Sequence, residues 1–110
     1  MKSIVAIFII SFAALFSGCK KTDTVPECLQ SEIEEFKNYS CENGASVNEY
    51  KFQGELVYVF NYGFCGADLP GGVIDRNCNP IGSLGGFTGN TQVRGDDFST
   101  AIYIRTIWSR

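Results

Sequence analysis

The chain has 110 residues, with nine Lys and Arg against twelve Asp and Glu, a formal net charge of −3, and no histidine. That length holds one domain. The acidic balance argues against nucleic acid as a partner and against a polybasic grip on a membrane surface. Lack of histidine removes Ser-His and Cys-His nucleophile pairs and most zinc sites, so no cofactor or metal is expected.

Met1-Lys2-Ser3 is a short basic segment, and Ile4 to Phe16 is an apolar one broken only by Ser11. Thirteen helical residues reach roughly 20 Å, short of the ~30 Å hydrocarbon core. Residues 1–18 therefore read as a signal peptide rather than a span. Leu15-Phe16-Ser17-Gly18-Cys19 resembles the bacterial lipobox, in which the cysteine thiol is acylated and the chain is cut before it; Phe16 stands where Leu is usual. The plainer alternative is a secretory signal followed by an incidental cysteine. Lipid on Cys19 leaves Cys28, Cys41, Cys65 and Cys78, an even number for two disulfides in an oxidising compartment. Loss of residues 1–18, whose single charge is Lys2, takes the net charge from −3 to −4.

Residues 19–24 form the lipidated cysteine and a polar tether, and residues 25–110 the single domain. Lys20 to Thr24 extends at most ~18 Å, so the domain sits close to its membrane. Thr24-Val25-Pro26-Glu27 has the pattern of a capping box with Pro in the first turn. Leu29, Ile33 and Phe36 follow at i, i+4 and i+7, which predicts one apolar stripe on a helix running to about Lys37. Glu32, Glu34 and Glu35 fall on its solvated side.

Ser40 to Ala45 reads as a loop, with Asn43-Gly44 as the turn signal. Ser46 to Asn61 predicts a β-hairpin folded at Gln53-Gly54. Its even loop sets Phe52 opposite Glu55, Tyr50 opposite Val57 and Asn48 opposite Val59. Lys51/Leu56, Glu49/Tyr58 and Val47/Phe60 point the other way. The first face is the more apolar, so Tyr50, Phe52, Val57 and Val59 are expected to receive the helix. From Gly63 the chain becomes glycine-rich. Val73 to Asp75 and Ile81 to Leu84 predict short strands about an Asn77-Cys78-Asn79-Pro80 turn. Gly85 to Asn90 is a loop, a helical turn starts at Asp97, and Thr100 to Trp108 predicts a final strand. The fold expected is α+β: one N-terminal helix on a small antiparallel sheet, disulfide-stapled, with a loop-rich C-terminal half.

The order of these pieces is itself informative: the lipobox, Pro26-Glu27-Cys28 leading into Ile33-Glu34-Glu35-Phe36, the run Tyr50 to Phe60, and Gly85-Gly86-Phe87-Thr88-Gly89-Asn90. It resembles a family of small Bacteroidota lipoproteins of unknown function. The resemblance implies an exported, disulfide-containing domain and no particular activity. Members often carry Gly-Asp-Gly after the glycine loop, where this chain has the longer Asn90 to Asp96.

Candidate chemistry is sparse. Asp75-x-Asn77-x-Asn79 opens like a calcium loop, but Pro80 and Gly86 stand where the loop needs Gly and a bidentate Glu. Gly85 to Gly89 lacks the Lys and the following helix of a phosphate loop. Asp96-Asp97 fits a turn or cap better than a paired acid site. Arg94-Gly95-Asp96 spells an adhesion tripeptide of a length that recurs by chance. Tyr58, Phe60, Tyr62 and Phe64 form an aromatic file whose first role is core packing. With no C-x-x-C spacing, the cysteines favour disulfides over redox chemistry.

Two functional readings stand. One is a non-catalytic binding module on a lipid anchor, with an envelope protein as partner and Gly85, Gly86, Phe87 and Thr88 as its contact surface; an inhibitor of a periplasmic or host hydrolase is its sharpest form. The other is a small enzyme using Asp68, Asp75 or Asp96, which needs a pocket that raises a carboxylate pKa. Lys20-Lys21 stand where surface-exposed lipoproteins of this bacterial group carry acidic residues, so the expected location is the periplasmic side of the outer membrane.

Four cysteines allow three pairings. Cys28 with Cys41 asks the chain to reverse at once after a ~13 Å helix. Opposed hairpin residues sum to 107, and 41 and 65 sum to 106, so Cys41–Cys65 nearly continues the ladder and leaves Cys28 for Cys78. Cys28–Cys65 with Cys41–Cys78 is the alternative.

Overall fold

The computed structural model describes residues 25–66 and 69–110. The segments expected to be signal peptide and tether, with Cys19 and Thr24, and the carboxylate candidate Asp68 lie outside the described residues. Helix α1 spans Glu27–Phe36, with Pro26 as its N-cap and Lys37 as its C-cap. The Pro26 carbonyl accepts from the backbone N–H groups of Leu29 and Gln30 at 3.0 and 3.3 Å. Leu29, Ile33 and Phe36 are buried, as their spacing predicts. Among the described residues no helix is long and apolar enough to cross a membrane.

Strands β1 (Ser46–Phe52) and β2 (Glu55–Asn61) form the hairpin, and all seven residue pairs from Ser46↔Asn61 to Phe52↔Glu55 keep the register the even loop dictates. Gln53 and Gly54 both have positive φ, 54° and 83°, the turn whose twist matches that of the flanking strands. β3 (Pro70–Asp75) and β4 (Pro80–Gly85) follow, then the two-residue strands β5 (Gln92–Val93) and β6 (Asp96–Asp97). A 3₁₀ turn at Phe98–Thr100 leads into β7 (Ile102–Ser109). The Asp97 side chain caps that turn by accepting from the Ser99 backbone N–H at 2.9 Å.

The main sheet is antiparallel with the order β4-β3-β2-β1-β7. Strands β2, β3 and β4 meander outward from β1, and β7 returns to pair on its other side. Between β4 and β7 the chain must therefore cross a whole sheet face, and the β5–β6 hairpin and the 3₁₀ turn make that crossing. The sequence pattern does not predict this hairpin.

The helix packs on the face opposite to the expected one. Leu29, Ile33 and Phe36 meet Ala45, Val47, Tyr58 and Phe60, with Leu56 and Trp108 at the margin. Tyr50, Phe52, Val57 and Val59 instead form a second core with Val73, Val93 and Phe98 beneath the crossing segment. The register is right and the facing is reversed. Both faces are covered, so the more apolar one had no need of the helix.

Two disulfides staple the layers. Cys41 and Cys65 are joined with Cα atoms 5.5 Å apart, just past the hairpin's open end, where the Cys41 N–H donates to the Tyr62 carbonyl at 2.9 Å. Cys28 and Cys78, with Cα atoms 6.2 Å apart, tie the first turn of α1 to the β3–β4 turn. This is the pairing that continuation of the ladder favours.

Candidate functional site: a braced glycine loop beside a groove

The loop between β4 and β5 is closed by mutual backbone hydrogen bonds between Gly85 and Asn90, at 2.7 and 3.2 Å. The Asn90 side-chain amide braces it from inside, donating to the carbonyls of Ser83 at 2.6 Å and Gln92 at 2.8 Å. Gly86 sits at φ 77°, and a Cβ there would come within 3.1 Å of the Pro70 Cβ. Both the left-handed backbone and the close approach to β3 require glycine at that position. The tip carries Phe87 into solvent at 93% exposure, with Thr88 exposed beside it. Of the four residues singled out as a contact surface, two build the base of the loop and two form its tip.

On either side of the loop base the sheet face is hollow. One hollow of about 490 Å³ is lined by Tyr50, Leu84, Phe98 and Ala101, with Thr91, Asp97 and Ser99 at its polar margin. A second, of about 420 Å³, is lined by Val59, Asn61, Leu69, Gly71 and Gly86. Tyr50, Leu84 and Gly85 belong to both, so the two form one groove. Its aromatic floor is fixed by ring contacts: Tyr50 meets Phe98 edge-on at 5.1 Å and Tyr103 at 5.7 Å, and Phe98 packs on Phe52 at 4.8 Å. Sequence reasoning assigned Tyr50 to the helix interface and gave Leu84 and Phe98 no role. The groove is visible only once the crossing of the chain is known.

Among the described residues, Asp75, Asp96 and Asp97 each hold a hydrogen bond within the fold. The Asp97 carboxyl is held below the usual carboxylate range by the Ser99 backbone N–H. Asp75 is lowered chiefly by the backbone N–H of Asn79, then that of Asn77 and the Arg94 charge, against opposing desolvation. Its Oδ1 accepts from those two N–H groups at 3.0 and 2.9 Å, closing the β3–β4 turn. Asp96 accepts from the Gln53 side-chain amide at 2.6 Å. Among the described residues no group of three or more His, Cys, Asp or Glu could hold a metal ion.

Arg94-Gly95-Asp96 forms the β5–β6 turn, with φ 52° at Arg94. All three residues are exposed, and the Arg94 and Asp96 side chains are tied back to the fold. Arg94 pairs with Glu55 and lies 3.7 Å from Asp75, while Gln53 binds Asp96. These contacts pin the tip of the crossing hairpin to the tip of the β1–β2 hairpin. In the aromatic file, Tyr58 and Phe60 are core residues, Tyr62 is half-buried, and Phe64 is 80% exposed.

One charged cluster was not legible from the sequence. Glu49 is 3% exposed beneath the helix. Its carboxylate accepts from the Tyr58 hydroxyl at 3.0 Å and from the Arg105 Nε at 2.9 Å. Arg76 donates to the Tyr58 hydroxyl at 3.2 Å. Burial, then the hydrogen bond to Glu49 and its charge, push the Tyr58 hydroxyl up to about 12. Every polar group here has a partner within the fold, so the cluster joins β1, β2, β7 and the β3–β4 turn.

Residues 34–110 match a domain of unknown function, DUF6970. No curated protein and no solved structure matches the chain.

Proposed function

Because the chain belongs to the DUF6970 family, which brings no activity with it, we propose that it is a lipid-anchored binding module of the bacterial cell envelope. Cys19 carries the lipid, residues 1–18 are removed, and the domain stands on the periplasmic side of the outer membrane of a Bacteroidota-type cell. The support for the anchor is the Leu15 to Cys19 motif after a short apolar segment, together with four further cysteines that pair with each other.

The observation that carries the binding reading is Phe87, 93% exposed on a loop braced at both ends beside an apolar groove. A large aromatic side chain held in water on a rigid mount loses little freedom on binding, which is what an interface anchor requires. The lowered pKa values of Asp75 and Asp97 favour this reading over carboxylate catalysis.

Two measurements test it in cells that export the full chain. Palmitate-analogue labelling should be present in the wild type and absent in Cys19→Ala; retained labelling would sink the anchor. Formaldehyde cross-linking should give adducts in the wild type that fade in Phe87→Ala at equal protein level. Adducts indifferent to Phe87 would place the contact elsewhere on the surface.

A further inference from the structure

Phe87 projects from the loop whose flanking residues Gly85 and Gly89 line the larger hollow, yet Phe87 is not part of that lining. A knob and a hole thus lie side by side on one surface. We propose that the partner of the Phe87 loop is a second copy of this chain, each copy seating its Phe87 in the other's hollow about a two-fold axis. The proposal rests on the reading of this loop as the binding element and names its partner.

Adjacency decides the closure. A knob and a hole far apart on a surface build open chains, whereas a pair sharing one loop is self-complementary and closes as a dimer. The hollow, about 490 Å³, is of ligand size, and Tyr50, Phe98 and Leu84 offer a phenyl ring aromatic and aliphatic neighbours. Charge does not oppose the contact, although the chain is acidic overall. Residues 85–90 carry no ionisable group. The one ionisable carboxylate lining the hollow, Asp97, accepts from the Ser99 N–H.

The other surface suited to self-pairing is the free edge of β7, where Ile102, Tyr103 and Ile104 are 62%, 54% and 45% exposed. Two register shifts against β1 interrupt that strand, and bulges are how edges are blunted. Two phenyl rings bury roughly 150–250 Å² each, about 300–500 Å² together, which is below the ~1,200 Å² at which stable specific interfaces begin. The dimer is therefore weak and reversible, and shared anchoring to one membrane favours it.

The test installs a photo-cross-linking phenylalanine derivative at position 87 of the full chain in exporting cells. The expected product has twice the mass of the chain, and its cross-linked peptide contains Leu84 or residues 97–101. The same group at Glu34, on the solvated side of the helix, should give no dimer. Ser99→Trp or Thr91→Trp, which fill the hollow from its exposed margin, should cut the dimer product by about tenfold or more with both disulfides intact. A cross-link only to a different protein overturns self-pairing and leaves the binding reading standing. No product at all overturns both. A dimer cross-linked to residues 102–104 assigns self-pairing to the β7 edge and overturns the seat proposed here.

Discussion

Glu49 and Tyr58 face each other across β1 and β2 beneath the helix, the tyrosine hydroxyl donating to the carboxylate at 3.0 Å, and neither residue is more than 3% exposed. A charge so placed is tolerated only with its partners in position. Arg105 supplies one from β7, where it stands opposite Glu49 in the register. Arg105→Met leaves the carboxylate buried beside the Tyr58 hydroxyl without that guanidinium. The expected loss is about 2–3 kcal/mol, below the range for fully buried pairs because a third of the Arg105 side chain is exposed. Urea unfolding of the two proteins measures it.

The same pair sets the alkaline limit. The Tyr58 pKa lies above its ordinary value of 10.0, at about 12 in the folded chain. Between those values the unfolded chain has lost the proton that the folded chain keeps, so stability falls as pH rises. The contribution, about 2–3 kcal/mol, is fully present below pH 10 and gone above about 12. Tyr58→Phe should flatten the stability profile across that window. On the acid side the signs reverse. Asp75 and Asp97, both lowered from 3.8, stabilise the fold above that pH, and the contribution is lost as pH falls through their folded values.

How far the sequence could be read follows from these residues. The hairpin register needed only an even loop and two aromatic-rich runs, and it is local. Which face the helix takes is not local. It depends on a β5–β6 hairpin of two-residue strands, Gln92-Val93 and Asp96-Asp97, too short and polar for periodicity to show. The Arg94-Gly95 pair at its turn is a turn signal that stands inside the Arg94-Gly95-Asp96 tripeptide. The burial of Glu49 is not legible from its neighbours because the partner that permits it, Arg105, is 56 residues away. The Phe87 loop was legible as a loop, while the groove beside it exists only after the chain has crossed the sheet.

Disulfide removal separates the two staples. Cys28–Cys78 closes the longer loop, a sequence separation of 50 against 24 for Cys41–Cys65. Chain entropy then assigns about 4 kcal/mol to the first and about 3.5 kcal/mol to the second. Replacing each pair by alanine should lower stability in that order. Non-reducing peptide mapping should recover these two cross-links, and a peptide joining Cys28 to Cys65 would be incompatible with the fold described.

The claim that the Phe87 loop and its groove form the working surface is met most directly by hydrogen–deuterium exchange. The full chain in envelope vesicles from exporting cells is compared with the same protein purified in detergent. Residues 84–90 and 97–101 should exchange more slowly in the vesicles, with α1 and β7 unchanged. Protection confined to α1 or to the β7 edge, or no difference at all, would contradict the account.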